Sequence, residues 1–140
     1  MSEEKRQLLR HFLAALAYRT QKAIRGAPAD FDHFRSGPGV RTPAELLCHM
    51  TSVLGYARTC FIGGTYRPEP LSSLQDEIQR FHEMLESLAD HLENRSPLLE
   101  GMTEERLLQG PFSDAMTHAG QIALLRRLAG APVPRWPARA

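Results

Sequence analysis

The apolar residues of this 140-residue chain are nearly all of one kind: Leu, Ala and Met supply 40 of them, against seven Val plus Ile. Leu, Ala and Met are good helix formers, whereas β-branched side chains suit a pleated sheet. An all-β fold is therefore nearly excluded and an all-α fold expected. The length fits one domain, in which folding buries roughly two-thirds of the surface that the unfolded chain exposes.

Helical spacing and turn chemistry divide the chain into four helices. The first is expected from about Glu3 to Arg25, with Leu9, Phe12, Leu13, Leu16 and Ala23 at helical spacing and Gly26-Ala27-Pro28 ending it. A long loop, Ala27 to Arg41, follows, and loops of that length often belong to binding sites. The second helix opens on Thr42 as N-cap, Pro43 in the first helical position and Glu45 completing a capping box, and it stops after Ile62 at Gly63-Gly64. The third begins near Ser72 or Ser73, carries Leu74, Ile78, Phe81, Leu85, Leu88 and Leu92, and ends near Arg95-Ser96-Pro97. A short acidic piece, Thr103 to Leu108, leads to Gly110-Pro111, from which a fourth helix is expected to reach about Leu128. Four amphipathic stripes of matching length bury one another best as an antiparallel four-helix bundle. The expected domain spans 1–133, with a proline-containing mobile tail over 134–140.

Several function classes are disfavoured by the same composition. The formal charge is +1, too small for a uniform field that grips nucleic acid or anionic lipid, and no basic stripe with interleaved aromatics is present. The longest apolar run, Phe12 to Tyr18, is far short of the ~20 residues of a membrane span. The first seven residues are charged and polar, which makes a cytoplasmic location the expectation. Cys48 and Cys60 fall in one helix, ~18 Å apart at ~1.5 Å per residue, and are expected to be reduced thiols. Arginine outnumbers lysine fifteen to two, which suggests a GC-rich bacterial genome.

Chemistry is expected where polar groups interrupt the apolar stripes. On the second helix the stripe reads Leu46, His49, Met50, Val53, Ala57 and Cys60, so His49 falls inside it. On the fourth, Asp114, His118, Gln121, Leu125 and Leu128 step by four and three. Two helices thus aim imidazole and carboxylate groups toward the middle of the bundle. Burying such groups without partners costs several kcal/mol, and a divalent metal ion removes that cost by taking their lone pairs. Asp and His at i, i+4 stand one turn apart, and a His from a facing helix completes a three-donor face with open positions for water or substrate. Two histidines and a carboxylate suit zinc, nickel, iron or manganese, and ligand type does not choose among them. Each residue also has a plainer explanation. A single His on an apolar face is usually a hydrogen-bonded core residue, and a carboxylate in the first turn of a helix is favoured by the macrodipole.

Two segments resemble the DinB/YfiT-like superfamily of small metal-binding four-helix bundles. One is Thr42-Pro43-Ala44-Glu45-Leu46-Leu47-Cys48-His49-Met50, continuing to Arg58 and Phe61. The other is Asp114-Ala115-Met116-Thr117-His118-Ala119-Gly120-Gln121, followed by Leu124 to Gly130 and Pro132. The family pattern has one His early in the second helix and H-x-x-x-H-x-G-Q in the fourth; here that run reads D-x-x-x-H-x-G-Q. The resemblance implies that His49 and His118 are metal ligands, that Asp114 takes the place of a third His, and that Gln121 orients a ligand or lines a polar pocket. His82, beside the third-helix seam, is a candidate to support the site from the inside, although a flanking surface position suits it better. Tyr56 is a candidate pocket residue, with core packing as its ordinary role.

Two functions follow as expectations. The first is a metal-dependent enzyme, with the resemblance implying transferase, isomerase or hydrolase chemistry that uses a low-molecular-weight thiol. The alternative is a non-catalytic bundle, a homodimer with a vestigial or small-molecule-binding pocket, a two-fold pair being the commonest oligomer.

Overall fold

The computed structural model describes residues 2–134, and these are helical with no strand among them. Four long helices carry the fold: α1 (Glu3–Ile24), α2 (Pro43–Ile62), α3 (Leu74–Glu93) and, after a short α4 (Glu104–Leu107), α5 (Ser113–Leu128). A single 3-10 turn, Phe31–His33, sits in the long α1–α2 loop. None of the helices is long and apolar enough to cross a membrane. The tail expected over 134–140 lies outside the described residues except for Pro134.

Side-chain caps set the starts. The Thr42 hydroxyl accepts from the Glu45 N–H at 3.2 Å while the Glu45 carboxylate accepts from the Thr42 N–H at 2.8 Å, so the capping box forms. Ser2, Ser73 and Thr103 cap α1, α3 and α4 with the hydroxyl alone, each accepting from the N–H three residues on. α2 ends on Gly63, whose φ of 79° is left-handed backbone that favours glycine.

Gly110-Pro111 does not break the chain into separate helices. The backbone runs through it as a π turn, Leu108–Phe112, that joins α4 to α5. Pro111 has no N–H to give to the carbonyl four residues back, and the turn widens around it; the Ser113 N–H then reaches back five residues to Leu108, whose carbonyl also accepts from the Ser113 hydroxyl at 2.6 Å.

Contacts between the helices give their directions. Arg6 at the start of α1 donates to the carbonyls of His91 in the last turn of α3 and Ser96 just beyond it, and Gln21 near the end of α1 meets His82, so these two helices run opposite ways. α2 and α5 are also opposed: His49 meets His118, while Val53 and Tyr56 face Gly110 and Pro111. α1 runs with α5, through Phe12 on Phe112 and Ala23 beside Arg126. α2 runs with α3, through Cys48 beside Arg80 and Phe61 on His91. The order is up, down, down, up, not a simple alternation.

Same-direction neighbours need a crossover, and residues 63–73 supply it by running back along α2. Tyr66 lies against Gly55 and under the Arg58 guanidinium, and Pro68 reaches Cys48. A Cβ at position 55 would fall on the Tyr66 ring, 2.6 Å from Cγ. Gly55→Ala is therefore expected to destabilise by about 1–3 kcal/mol, because the ring and the strap behind it must shift. Thermal denaturation measures this as a drop of several degrees, and an unchanged melting point would show that the strap does not lean on α2.

The core joins Leu9, Leu13 and Leu16 of α1, Leu47, Met50 and Leu54 of α2, Phe81 and Leu88 of α3, and Phe112 and Ile122 near and on α5. Charged residues also enter it. Glu77, 1% exposed, takes the Arg80 guanidinium at 2.7 Å and the Leu71 N–H at 2.9 Å, while Arg80 also donates to the Glu69 carbonyl at 3.0 Å. Buried Arg126 donates to the carbonyls of Ala23 at 3.2 Å and Arg25 at 2.8 Å, satisfying the open end of α1.

Candidate metal centre

His49 comes from the second turn of α2, and Asp114 and His118 from successive turns of α5. Because these helices run opposite ways and pack on each other, the three side chains meet at their seam. His118 Nε2 stands 3.5 Å from one Asp114 oxygen and His49 Nε2 3.9 Å from the other. The two imidazole rings lie edge to face, 4.7 Å between centroids. One ligand atom from each residue lies within 4.8 Å of the others.

The seam is shallower than the stripes imply. The α2 core face is centred on Leu47, Met50, Leu54 and Ala57, which leaves His49 at its edge and one-third exposed. The α5 core face is Ala115, Ala119, Ile122 and Leu125, so Asp114 and Gln121 point outward and only His118 is buried. The donors converge at the rim between two helices, not in the bundle centre.

Gln121 is placed as a supporting group. Its Oε1 is an acceptor, and the His118 Nδ1–H donates to it at 2.7 Å. That bond selects the tautomer whose Nε2 carries a free lone pair, and this Nε2 is the atom facing Asp114. Burial pushes the His49 imidazole below its ordinary 6.5, with the Arg41 and His118 charges adding to the shift and Asp114 opposing it. A lowered value keeps His49 neutral, the form that ligates a metal, at neutral pH. Asp114 has lost one plainer explanation. Because α4 and the π turn continue into α5, it does not sit at a free helix N-terminus with open N–H groups.

The donor set fits a divalent ion. Two ligands of a tetrahedral zinc, with bonds of about 2.0–2.2 Å, stand roughly 3.3–3.6 Å apart. The His118–Asp114 separation already has that value, and the full set, spread over up to 4.8 Å, closes by rotation of the half-exposed Asp114 and the one-third exposed His49. Gln121→Leu removes the acceptor that holds the His118 ring. Its expected effect is a metal affinity lower by about 10- to 100-fold with an unchanged fold, read by competition with a chromogenic chelator. Equal affinity would show that the amide does not support the ligand.

His82 and Tyr56 part company. His82 lies in a different groove, where α3 meets α1, with Gln21 Nε2 3.3 Å from its Nε2 and Leu85, Ala14 and Ala17 alongside. It follows Phe81 of the core by one residue, a turn of about 100° that takes it off the seam and toward α1, so it gives the site no support. Tyr56 is half exposed and lines a shallow depression with Val53, Pro111 and Asp114, on the carboxylate side of the trio. Arg41, immediately before the α2 N-cap, is a further charge near the site: it acts electrostatically on His49. Cys48 points away, toward Pro68 and Arg80.

No family model, no curated protein and no solved structure matches this chain.

Proposed function

We propose that this is a cytoplasmic, DinB-like four-helix bundle that holds one divalent transition metal ion on His49, Asp114 and His118 and uses it in thiol-dependent transferase or hydrolase chemistry. One observation carries the reading: two imidazoles and a carboxylate from two helices bring ligand atoms within 4.8 Å of one another, with the buried His held in ligating form by Gln121. Zinc, nickel and iron all suit that donor set. A divalent ion there supplies Lewis-acid chemistry, lowering the pKa of a coordinated water or thiol. The residues divide the work of holding it. His118 offers a fixed lone pair, His49 a neutral imidazole from the opposite helix, and Asp114 a charge that offsets the dication. Three protein donors leave room for a substrate atom, and the half-exposed Asp114 leaves that side open to solvent.

The same exposure of Asp114 favours a pocket that holds no metal; the second reading is a non-catalytic homodimer in which the three side chains form a vestigial or small-molecule-binding pocket at the rim. Metal analysis separates the two. Tag-free protein expressed with zinc, nickel and iron supplements is expected to carry about one equivalent of metal by mass spectrometry, and less than about a tenth of an equivalent would defeat the metal reading. In cobalt-loaded protein, a low-molecular-weight thiol is expected to add a sulfur-to-metal charge-transfer band; an unaltered spectrum would remove thiol chemistry from the proposal.

A further inference from the structure

A groove of about 550 Å3 opens on the Gln121 side of the trio, between α2, α5 and the loop that precedes α2. Its wall is apolar, formed by Val40, Leu46, Leu124 and Leu128, and two of these leucines are more than half exposed, Leu124 at 53% and Leu128 at 56%. Among the described residues Arg41 is the one charged side chain on the wall, and none that lines it is acidic. Among the described residues Arg41 has no ion pair; the nearby Glu45 is taken by Arg35 at 3.0 Å. Gln121 belongs both to this groove and to the His118 hydrogen bond, so the groove ends at the donor trio. The depression on the opposite side, beside Tyr56 and Asp114, carries an acid and no cation.

A guanidinium on the wall of an apolar trough, with no ion pair among the described residues, suits an anion attached to hydrocarbon. A dication on two imidazoles and one carboxylate leaves a net positive site, which adds to the same preference. We propose that the groove binds a small carboxylic acid with an apolar body, its carboxylate on Arg41 and its hydrocarbon along Val40, Leu124 and Leu128. That this molecule is the substrate class of the metal centre rests on the metal reading above.

Heteronuclear NMR titration with sodium octanoate tests it, on wild-type protein and on Arg41→Gln and Leu128→Asp, two exposed positions whose substitution leaves the core intact. Saturable shifts are expected at the amides of Val40, Arg41, Leu124 and Leu128. Arg41→Gln is expected to weaken binding by about tenfold or more, the loss of one charge-assisted hydrogen-bonded pair. Leu128→Asp should weaken it as well, by placing a carboxylate in the trough. Butyrate, with the acid but little chain, and 1-octanol, with the chain but no acid, should each bind at least about tenfold more weakly than octanoate. No saturable shifts, shifts centred elsewhere, or equal affinity in Arg41→Gln would overturn the groove. Metal content measured on the same samples keeps the two proposals apart. Full metal loading without octanoate binding ends the groove alone, and Arg41-dependent binding by protein that takes up no metal ends the metal reading and the substrate role with it.

Discussion

His118→Ala is expected to abolish metal uptake while the bundle remains folded. His118 is the only buried member of the trio, and its Nε2 is fixed toward Asp114 by the bond from Nδ1 to Gln121. Alanine leaves one imidazole and one carboxylate, a pair on separate helices that does not form a chelate of comparable strength. Structural zinc sites gain about 10–16 kcal/mol from a full ligand set, so losing one of three donors should reduce retained metal to below about a tenth of an equivalent. The variant should keep its helical circular dichroism, because alanine is a good helix former and the seam is at the rim. Stoichiometric metal in folded His118→Ala would mean that the ligands are misassigned. Asp114→Asn should fall between wild type and His118→Ala, since the amide oxygen still donates but the charge is gone.

Arg80→Met should be the most damaging single change to stability outside the apolar core. Glu77 is 1% exposed and its carboxylate accepts from the Arg80 guanidinium and the Leu71 N–H, so removing the guanidinium strands a buried carboxylate. Breaking a buried pair from one side costs about 3–5 kcal/mol, against nearly nothing for many surface pairs. Arg80 also holds the Glu69 carbonyl, so the change frees part of the crossover 63–73. Urea denaturation of Arg80→Met, Glu77→Met and the double variant reads the coupling. The double variant is expected to recover much of the loss, because no charge is then left without a partner. A loss below about 1 kcal/mol in Arg80→Met would show that water reaches Glu77 and the pair behaves as an exposed one.

Much of this architecture could be read from the residues, and where it could not the cause is specific. Thr42, Pro43 and Glu45 announced the start of α2, because a capping box is local chemistry that tertiary context seldom alters. The α3 seam was legible from its leucines, and His49, Asp114 and His118 were named together from spacing. Facing was harder. Asp114, Gln121 and Leu128 share a stripe with His118, yet the helix turns the neighbouring stripe inward, Ala115, Ala119, Ile122 and Leu125, which is the more apolar of the two. Gly110-Pro111 reads as a stop by every local rule, and only the wider turn around it lets the helix continue. The buried polar residues were visible in principle. Arg6 and Thr20 complete the series with Leu9, Leu13, Leu16 and Ala23 at steps of three and four, and Glu77 falls between Leu74 and Phe81. Local spacing does not reveal such a burial, because the partners lie far away in sequence, as His91, Ser96 and Glu104 do for Arg6.

The widened turn at Leu108–Phe112 carries one surplus residue between two ordinary helical stretches, and this makes the chain unevenly tolerant of changes in length. Deleting a single residue there would let the turn tighten to regular geometry, with Leu107 still facing inward and the donors downstream still aimed at α2. The same deletion between Ser113 and His118 would swing one donor about 100° around the helix and out of reach of the other two.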